Sequence, residues 1–482
     1  MLNSGPIREL MAKNGNLFNA PRAAGKHLLC FVLSLLCFPL MLLQAVETPP
    51  ALEHVGTVPI DGYAYPSVSA DEAGNSYAAF LVNGALNVGK FSSSGALLWR
   101  TEQPGDLSYD ARIKVDAGGN SYVAATDYSS NSGYLYKFDA NGAFTGKRTV
   151  PAGITNYWES DDIAYDPLSG HIYTTISFYS EDTRNGCVMV LAYDSNLELV
   201  ASRTINDSPL DNWFARLAVD PQGNVYVSGM TSGDDAAGNW LNGFFEAKYT
   251  PGLSSLIFKT DPVLFDGRGK WLRATAADAQ GNTYSAGEIE QGNNDYPAFL
   301  MKRNEAGALV FLRTFPDPDP SDWAWNTFYD VAVDKRGNPH VVNTDYSVSL
   351  IKYDPDGNIL WSIKPSTPPF QLETSGIDID SRGNIYTAGI WSDADYNYSG
   401  VVMKYSAAAA PDTTPPAAIA DLAVTAVSSG TITLAWTAPG DDGTIGTAAA
   451  YDLRYTTAEP ILEDAAFGSA TPVPGVPAPQ AA

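Results

Sequence analysis

One pattern of apolar and polar positions occurs seven times along the chain. In each copy, a strand-like run with apolar residues at alternate positions ends at an Asp, passes a Gly, and resumes as a second alternating run. The copies are anchored by Asp71, Asp116, Asp166, Asp220, Asp278, Asp334 and Asp380. Alternation with a period of two predicts β-strands, and Asp followed closely by Gly predicts a tight hairpin turn. We therefore assign these seven Asp residues a structural role in turns rather than a role as metal ligands.

The spacing of the copies predicts a repeat architecture. From Asn75 to Asn384, which occupy equivalent positions, 309 residues cover six intervals, or about 51 residues each. Each unit also contains a second turn, such as "FDANGAF" at Phe138–Phe144, so that each unit predicts four strands. Units of this length with four short strands are typical of β-propeller blades. The sequence thus predicts an all-β fold, a seven-bladed β-propeller over residues 52–406.

The first strand of each unit is expected to lie innermost. Two residues before the repeated Asp, a small side chain is common, as at Ala164, Ala218, Ala276 and Ala332. We expect small residues where seven strands approach one axis.

The repeated segments resemble a known family. "VDPQGNVYVSG" from Val219 and "IDSRGNIYTAG" from Ile379 are similar to the SBBP repeat, which is named for a seven-bladed β-propeller. The resemblance covers residues 52–406. It implies the propeller fold, and it implies no particular catalytic residues.

The seventh unit lacks its own fourth strand. Units one to six each show an outer strand after the second turn, whereas "SGVVMKYS" of unit seven runs directly into an Ala- and Pro-rich stretch. At the other end of the propeller, "HVGTVPI" at His54–Ile60 precedes the first blade and has no unit to join. We predict that this N-terminal strand closes the last blade.

Both ends of the chain carry additional segments. Four basic residues precede a mostly apolar run at Leu28–Leu43, which predicts a signal peptide over residues 1–45 and a secreted or cell-surface bacterial protein. An uncleaved leader is the alternative, and it would be the one link to a membrane. Residues 407–417 form an Ala/Pro-rich linker. Residues 418–482 resemble the first strands of a fibronectin type III domain, and they are too short for a complete one. We predict a partial, loosely packed β-sandwich there.

Composition narrows the possible partners. The formal charge of −25 argues against nucleic acid, because phosphate binding requires clustered Lys and Arg. Outside the leader, Cys187 is the one cysteine, so an intrachain disulfide is excluded for the exported form. We expect a monomer whose partner is an extracellular glycan or protein.

Sequence motifs do not nominate an enzyme. The chain has four His residues and contains no GxSxG, HExxH, P-loop or CxxC motif. The hypothesis we favour is a non-catalytic binding or adhesion protein, and no residue is assigned a catalytic role. The alternative is an extracellular carbohydrate-active enzyme, a lyase or hydrolase, with its site on the same face of the propeller.

Aromatic residues indicate which face binds. The connections between second and third strands and those between successive blades share one face, here named the long-loop face. The turns between first and second strands and between third and fourth strands share the opposite face, here named the short-turn face. The long connections mix Trp and Tyr with Asp and Asn, which suits stacking on sugars or contact with proteins. The candidate ligand-binding residues are Trp158, Trp240, Trp323, Trp325, Trp391 and Tyr396.

Other residues of these connections leave two interpretations open. Trp213 and Trp271 both stand seven residues before the repeated Asp, a shared position that favours packing between blades, with ligand binding as the alternative. Asp393, Asp395 and Asn397 alternate as oxygen ligands would, although the Gly expected at the sixth place of a calcium loop is missing. Calcium is the one cofactor for which the sequence offers candidate ligands.

Overall fold

The computed structural model describes most of the propeller and parts of the C-terminal segment. The described residues are 49–59, 65–127, 130, 132–150, 157–207, 210–234, 240–260, 262–265, 270–289, 297–315, 327–343, 350–363, 372–392, 398–406, 419, 421–438, 451–457, 461, 464–474 and 476. One compact unit spans Gln44–Ala408, and the described residues from 419 onward belong to a second unit. The predicted signal peptide and linker lie outside the described residues. In the part of the chain covered, no helix is long and apolar enough to cross a membrane.

Seven antiparallel sheets of four main strands form the blades of a β-propeller, which confirms the predicted fold. Strand β1 (Leu52–Pro59) precedes the first blade. Blades one to three contain, from the innermost strand outward, β2 (Ser67–Ala70), β3 (Ser76–Val82), β4 (Ala85–Phe91), β5 (Leu97–Gln103); β6 (Ser108–Val115), β7 (Ser121–Asp127), β8 (Ser132–Phe138), β9 (Phe144–Thr149); and β10 (Tyr157–Tyr165), β11 (Ile172–Ser180), β12 (Asn185–Tyr193), β13 (Leu199–Ile205).

Blades four to six repeat this order. They contain β14 (Asp211–Val219), β15 (Val225–Asp234), β16 (Trp240–Tyr249), β17 (Leu256–Lys259), with a fifth strand β18 (Val263–Phe265); β19 (Lys270–Ala277), β20 (Thr283–Ile289), β21 (Ala298–Arg303), β22 (Leu309–Phe315); and β23 (Phe328–Val333), β24 (Pro339–Asn343), β25 (Leu350–Tyr353), β26 (Ile359–Ile363). A short 3₁₀ turn at Pro251–Leu253 separates β16 from β17.

Blade seven closes the ring as predicted. Its three consecutive strands are β27 (Leu372–Ile379), β28 (Ile385–Ser392) and β29 (Tyr398–Tyr405), and β1 pairs antiparallel with β29 as the outermost strand. The paired residues run from Leu52 opposite Tyr405 to Pro59 opposite Ser399. Both ends of the propeller segment therefore meet at one strand pair, and opening the ring requires breaking it.

The repeated Asp organises its own turn. In blade four, Asp220 Oδ1 accepts the backbone N–H groups of Gln222 at 3.0 Å and Asn224 at 2.9 Å. Its Oδ2 accepts Asn224 Nδ2 at 2.8 Å and the Tyr226 hydroxyl at 3.0 Å. Gly223 has a φ of +81°, in the left-handed region that Gly tolerates without strain. The conformation of the turn thus accounts for the Asp, the Gly and the Asn of the motif.

The motif tyrosine joins neighbouring blades. The Tyr226 hydroxyl also lies 3.1 Å from the carbonyl oxygen of Gly281, in the turn of blade five. The equivalent contact in blade seven joins Tyr386 to Gly74 O at 3.2 Å across the closure of the ring. Apolar side chains fill the remaining space between blades, for example Val188, Leu217 and Phe245 between blades three and four. Each repeat therefore stabilises its own hairpin and the contact with the next blade.

The C-terminal unit contains two small sheets. Its described elements are β30 (Ala423–Val427), β31 (Ile432–Ala435), β32 (Arg454–Tyr455), helix α1 (Asp464–Ser469) and β33 (Thr471–Pro472). β30 pairs with β31 and β32 pairs with β33. After Pro460, the described residues add one two-residue strand, and the residues of β30 are all exposed. The partial sandwich stays a prediction.

Candidate functional site

The innermost strands are bulged near the long-loop face. The pairing between first and second strands shifts register in six blades, at β6, β10, β14, β19, β23 and β27. In β19 the shift falls between Leu272 and Ala274, and in β23 between Phe328 and Asp330. A bulge adds a residue and turns side chains in a new direction, and such bulges are common beside functional sites. Here the bulged residues are Arg273 in β19 and Tyr329 in β23.

Trp271 is the exposed aromatic side chain of this region. At the start of β19, 38% of Trp271 is exposed to solvent. The Phe214 ring of blade four meets the indole edge to face, with centroids 5.2 Å apart. Phe214 has a φ of +45°, which is unfavourable for an aromatic residue, and it lies within the bulge of β14 between Trp213 and Arg216. Trp271 therefore presents a supported aromatic surface to solvent.

A buried ion pair fixes the underside of this surface. The Arg273 guanidinium lies 5.6 Å from the Trp271 ring centroid and makes two bonds to Glu288, at 2.8 Å and 3.2 Å. Glu288 is fully buried. Burial raises the pKa of Glu288, and the charge of Arg273 opposes that shift. A two-point Arg–carboxylate bond holds the guanidinium in one plane, so the indole rests on a rigid support.

The same arginine continues into an aromatic stack. Arg273 lies 5.0 Å from the Tyr329 ring of blade six, and Tyr329 stacks on Tyr65 at 4.6 Å, just before blade one. Tyr329 is 8% exposed. The stack links blade five, blade six and the residue before blade one, and both tyrosines pack against the apolar cluster of blades six and seven.

Trp213 and Trp271, which both stand seven residues before the repeated Asp, have different surroundings in the structure. Trp213 Nε1 donates to Ser232 Oγ at 3.2 Å, and its ring covers Gly186 so closely that an added Cβ would lie 2.6 Å from Trp213 Cη2. Trp213 therefore packs between blades, whereas Trp271 is exposed. Trp213 pairs with Met230 and Trp271 with Glu288, which are equivalent positions, so the two differ in what the preceding blade places against them: Gly186 for Trp213 and the Phe214 ring for Trp271.

Among the predicted ligand-binding residues, Trp391 has a described side chain. It is partly buried, packs against the apolar cluster of blades six and seven, and its Nε1 is enclosed with no hydrogen bond to a described residue. Trp158 and Trp240 lie in β10 and β16, with side chains outside the described part. The remaining candidates lie outside the described residues, namely Trp323, Trp325, Tyr396, Asp393, Asp395 and Asn397. Among the residues covered, no group of carboxylates, His or Cys could hold a metal ion.

A second feature is a cavity on the propeller axis. It has a volume of about 510 Å³ and is lined by the innermost strands of all seven blades. Ala164, Ala218, Ala276 and Ala332, which the sequence places near the axis, line it. The lining extends from Ser67, Arg112, Asp162, Ala274 and Asp330 toward the hairpin turns, where Pro167 and Pro221 contribute. The lining includes Glu72, Pro167, Pro221, Lys335 and Ser381 of the turns and does not include Arg273, Tyr329 or Tyr65, so the cavity reaches the short-turn face.

Charged side chains occupy the walls of this cavity. Blade two contributes Arg112 and Lys114, and blades three, six and seven contribute Asp162, Asp330 and Asp378. Burial raises the pKa of Asp330, against the opposing charges of Arg112 and Lys114. Sequence analysis missed this cluster. The available signal was the charged residues two and four positions before the repeated Asp, where the other blades carry Ala, Gly or Ser, apart from Arg216 in blade four.

Three solved structures are similar in fold. A protein of unknown function from Dyadobacter fermentans has a TM-score of 0.42 and 11% identity, covering 74% of this chain and 99% of that chain. An ulvan lyase, from a new family of polysaccharide lyases, has a TM-score of 0.46 and 11% identity, covering 73% of this chain and 95% of that chain. The β-propeller domain of the Trilobed protease from Pyrococcus furiosus has a TM-score of 0.42 and 10% identity, covering 71% and 95%. These likenesses concern the fold alone.

Sequence comparison adds no family. No protein-family model matches the chain, and no curated protein matches it. The SBBP assignment remains a prediction from the repeated residues.

Proposed function

We propose that the protein is an exported, non-catalytic binding protein that holds a glycan against the long-loop face of its propeller, with Trp271 as the central contact. The observation that carries this proposal is the supported indole of Trp271, 38% exposed, between the Phe214 ring and the Arg273–Glu288 pair. A flat, rigid aromatic surface buries the apolar face of a pyranose ring at little entropic cost.

The chemistry of the described groups favours binding over turnover. Glu288 is fully buried and held by two bonds to Arg273, so its carboxylate is directed at the protein rather than at a ligand on Trp271. A general acid or base must reach the proton that it transfers. The described residues around Trp271 therefore supply contact and support.

A glycan array, followed by titration of the hits, tests this proposal. Trp271→Ala should weaken the binding of a hit by about tenfold or more, because removal of a central aromatic contact costs about 2 kcal/mol. Chromatography of the incubated glycan should show no product.

Trp213→Ala is the matched control, because Trp213 has the same offset from the repeated Asp and packs against Gly186. This variant should lower the melting temperature and leave the affinity unchanged. Unchanged affinity in Trp271→Ala would refute the site. A product of cleavage would replace the proposal with the enzyme hypothesis, and hits among proteins alone would replace the glycan with a protein partner.

A further inference from the structure

The axial cavity holds a set of fixed hydrogen-bond acceptors. Asp162 Oδ1 accepts the N–H of Ile163 at 2.9 Å, and its Oδ2 accepts the N–H of Leu217, in the next blade, at 2.8 Å. Asp330 repeats this arrangement with Val331 at 2.9 Å and Ile377 at 3.0 Å. Both carboxylates are therefore immobile in the wall.

Asp378 completes the set at the closure between blades seven and one. Its Oδ1 accepts the N–H of Ile379 at 3.0 Å, and its Oδ2 accepts the N–H of Ala70 at 2.9 Å and the Ser69 hydroxyl at 3.1 Å. An ionised carboxylate can accept about four hydrogen bonds, so each of the three retains capacity for a further donor.

Lys114 supplies donors to the same space. Its side chain lines the cavity, and no hydrogen bond or close ion pair joins its ammonium to a described residue. Burial would lower the pKa of Lys114, but the attraction of Asp378, Asp330 and Asp162 raises it, so the group is a cation with three N–H donors.

The charges that line the cavity indicate what charge its ligand carries. The lining carries six carboxylates, Glu72, Asp162, Asp330, Asp334, Asp378 and Asp380, and three cations, Arg112, Lys114 and Lys335, so its net charge is negative, which disfavours an added anion. Arg112 and Lys114 already offset two of the three inner carboxylates Asp162, Asp330 and Asp378, and the described carboxylates, His and Cys form no group that could hold a metal ion. A neutral ligand with many hydroxyl groups can both accept and donate here without adding charge.

We propose that the axial cavity binds a neutral, polyhydroxylated small molecule of about monosaccharide size, whose hydroxyl oxygens accept from Lys114 and whose hydroxyl groups donate to Asp162, Asp330 and Asp378. The volume of about 510 Å³ lies in the range of small-molecule pockets. The lining of the cavity reaches the short-turn face and contains neither Trp271 nor Arg273, so this site is separate from the proposed glycan surface and does not depend on it.

Saturation-transfer NMR on the full chain, with glucose, galactose, mannose and inositol offered separately, tests this site. At least one should show saturation transfer that is lost in Lys114→Met, with affinity reduced about tenfold or more, because hydrogen bonds from a charged donor are strong. Trp271→Ala should leave this binding unchanged, which distinguishes the cavity from the long-loop face.

A second variant tests the cavity if Lys114→Met does not fold. Ala276→Leu adds bulk to the uncharged wall of blade five and leaves every charged group in place. It should also abolish the binding. No saturation transfer from any of the four compounds, binding that survives both variants, or binding of sulfate in place of the sugars would overturn the proposal.

Discussion

The blade that departs from the motif offers the sharpest test of how the repeats hold together. Blade six carries His340 where the other blades carry Tyr. His340 is 2% exposed, and its Nδ1 lies 3.1 Å from Asn338 O. It meets Trp361 edge to face at 5.6 Å, much as Tyr77 meets Trp99 at 6.1 Å in blade one. The ring at this position thus makes the same aromatic contact in both blades, and we predict that His340→Tyr stabilises the protein.

Two effects set the magnitude of this gain. A Tyr hydroxyl would bond to the turn Asp, as Tyr77 does to Asp71 at 3.1 Å, which contributes about 1 kcal/mol. The second effect depends on pH, because burial and then the charge of Lys352 lower the pKa of His340 to about 3. Between that value and the unfolded pKa of about 6.5, the unfolded chain binds a proton that the folded chain does not. Wild-type stability therefore falls as the pH drops below about 6.5, by up to about 1.4 kcal/mol per unit.

Denaturant unfolding followed by Trp fluorescence at pH 7, 6 and 5 measures both effects. The variant should exceed the wild type by about 1 kcal/mol at pH 7, and the difference should widen to about 3 kcal/mol at pH 5. The reciprocal change, Tyr226→His in blade four, should introduce the same loss in acid. A difference between wild type and His340→Tyr that stays constant with pH would refute this reasoning.

Two further predictions concern the turns and the closure of the ring. Gly142 has a φ of +83°, and an added Cβ would lie 2.6 Å from Trp99, whereas Gly170 has a φ of +73° and open space around it. Gly170→Ala should cost about 1 kcal/mol in unfolding free energy and Gly142→Ala about 1–3 kcal/mol more; equal losses would contradict the packing of Trp99 on the turn. Deletion of residues 52–60 removes the strand paired with β29, so calorimetry should show a clearly lower melting temperature and limited proteolysis should cut blade seven first. An unchanged melting temperature would mean that β1 does not secure the ring.

The sequence predicts the fold well because the fold is local and repeated. Each hairpin depends on residues within one turn, as Asp220, Gly223 and Asn224 show, and seven copies of a weak signal reinforce one another. The closing strand was predictable because one unit lacked a strand and one strand lacked a unit.

The candidate sites were less predictable because they depend on contacts between blades. Trp213 and Trp271 look equivalent in sequence and pair with equivalent residues of the second strand, and they differ in what the preceding blade places against them, Gly186 for Trp213 and the Phe214 ring for Trp271. Lys114 is brought near Asp330 and Asp378 by the circular arrangement, across more than 200 residues of sequence, a separation at which no spacing rule applies. The alternation of apolar and polar residues identifies the strands. Which side chains of different blades meet depends on how the blades are arranged in the closed ring.

A crystal structure of the protein soaked with a glycan hit tests the central claim most directly. The account predicts an intact sugar chain with one pyranose ring lying flat on the exposed face of Trp271, and Arg273 still bonded to Glu288 beneath it. A cleaved sugar there, or a glycan bound elsewhere with Trp271 uncovered, would contradict it.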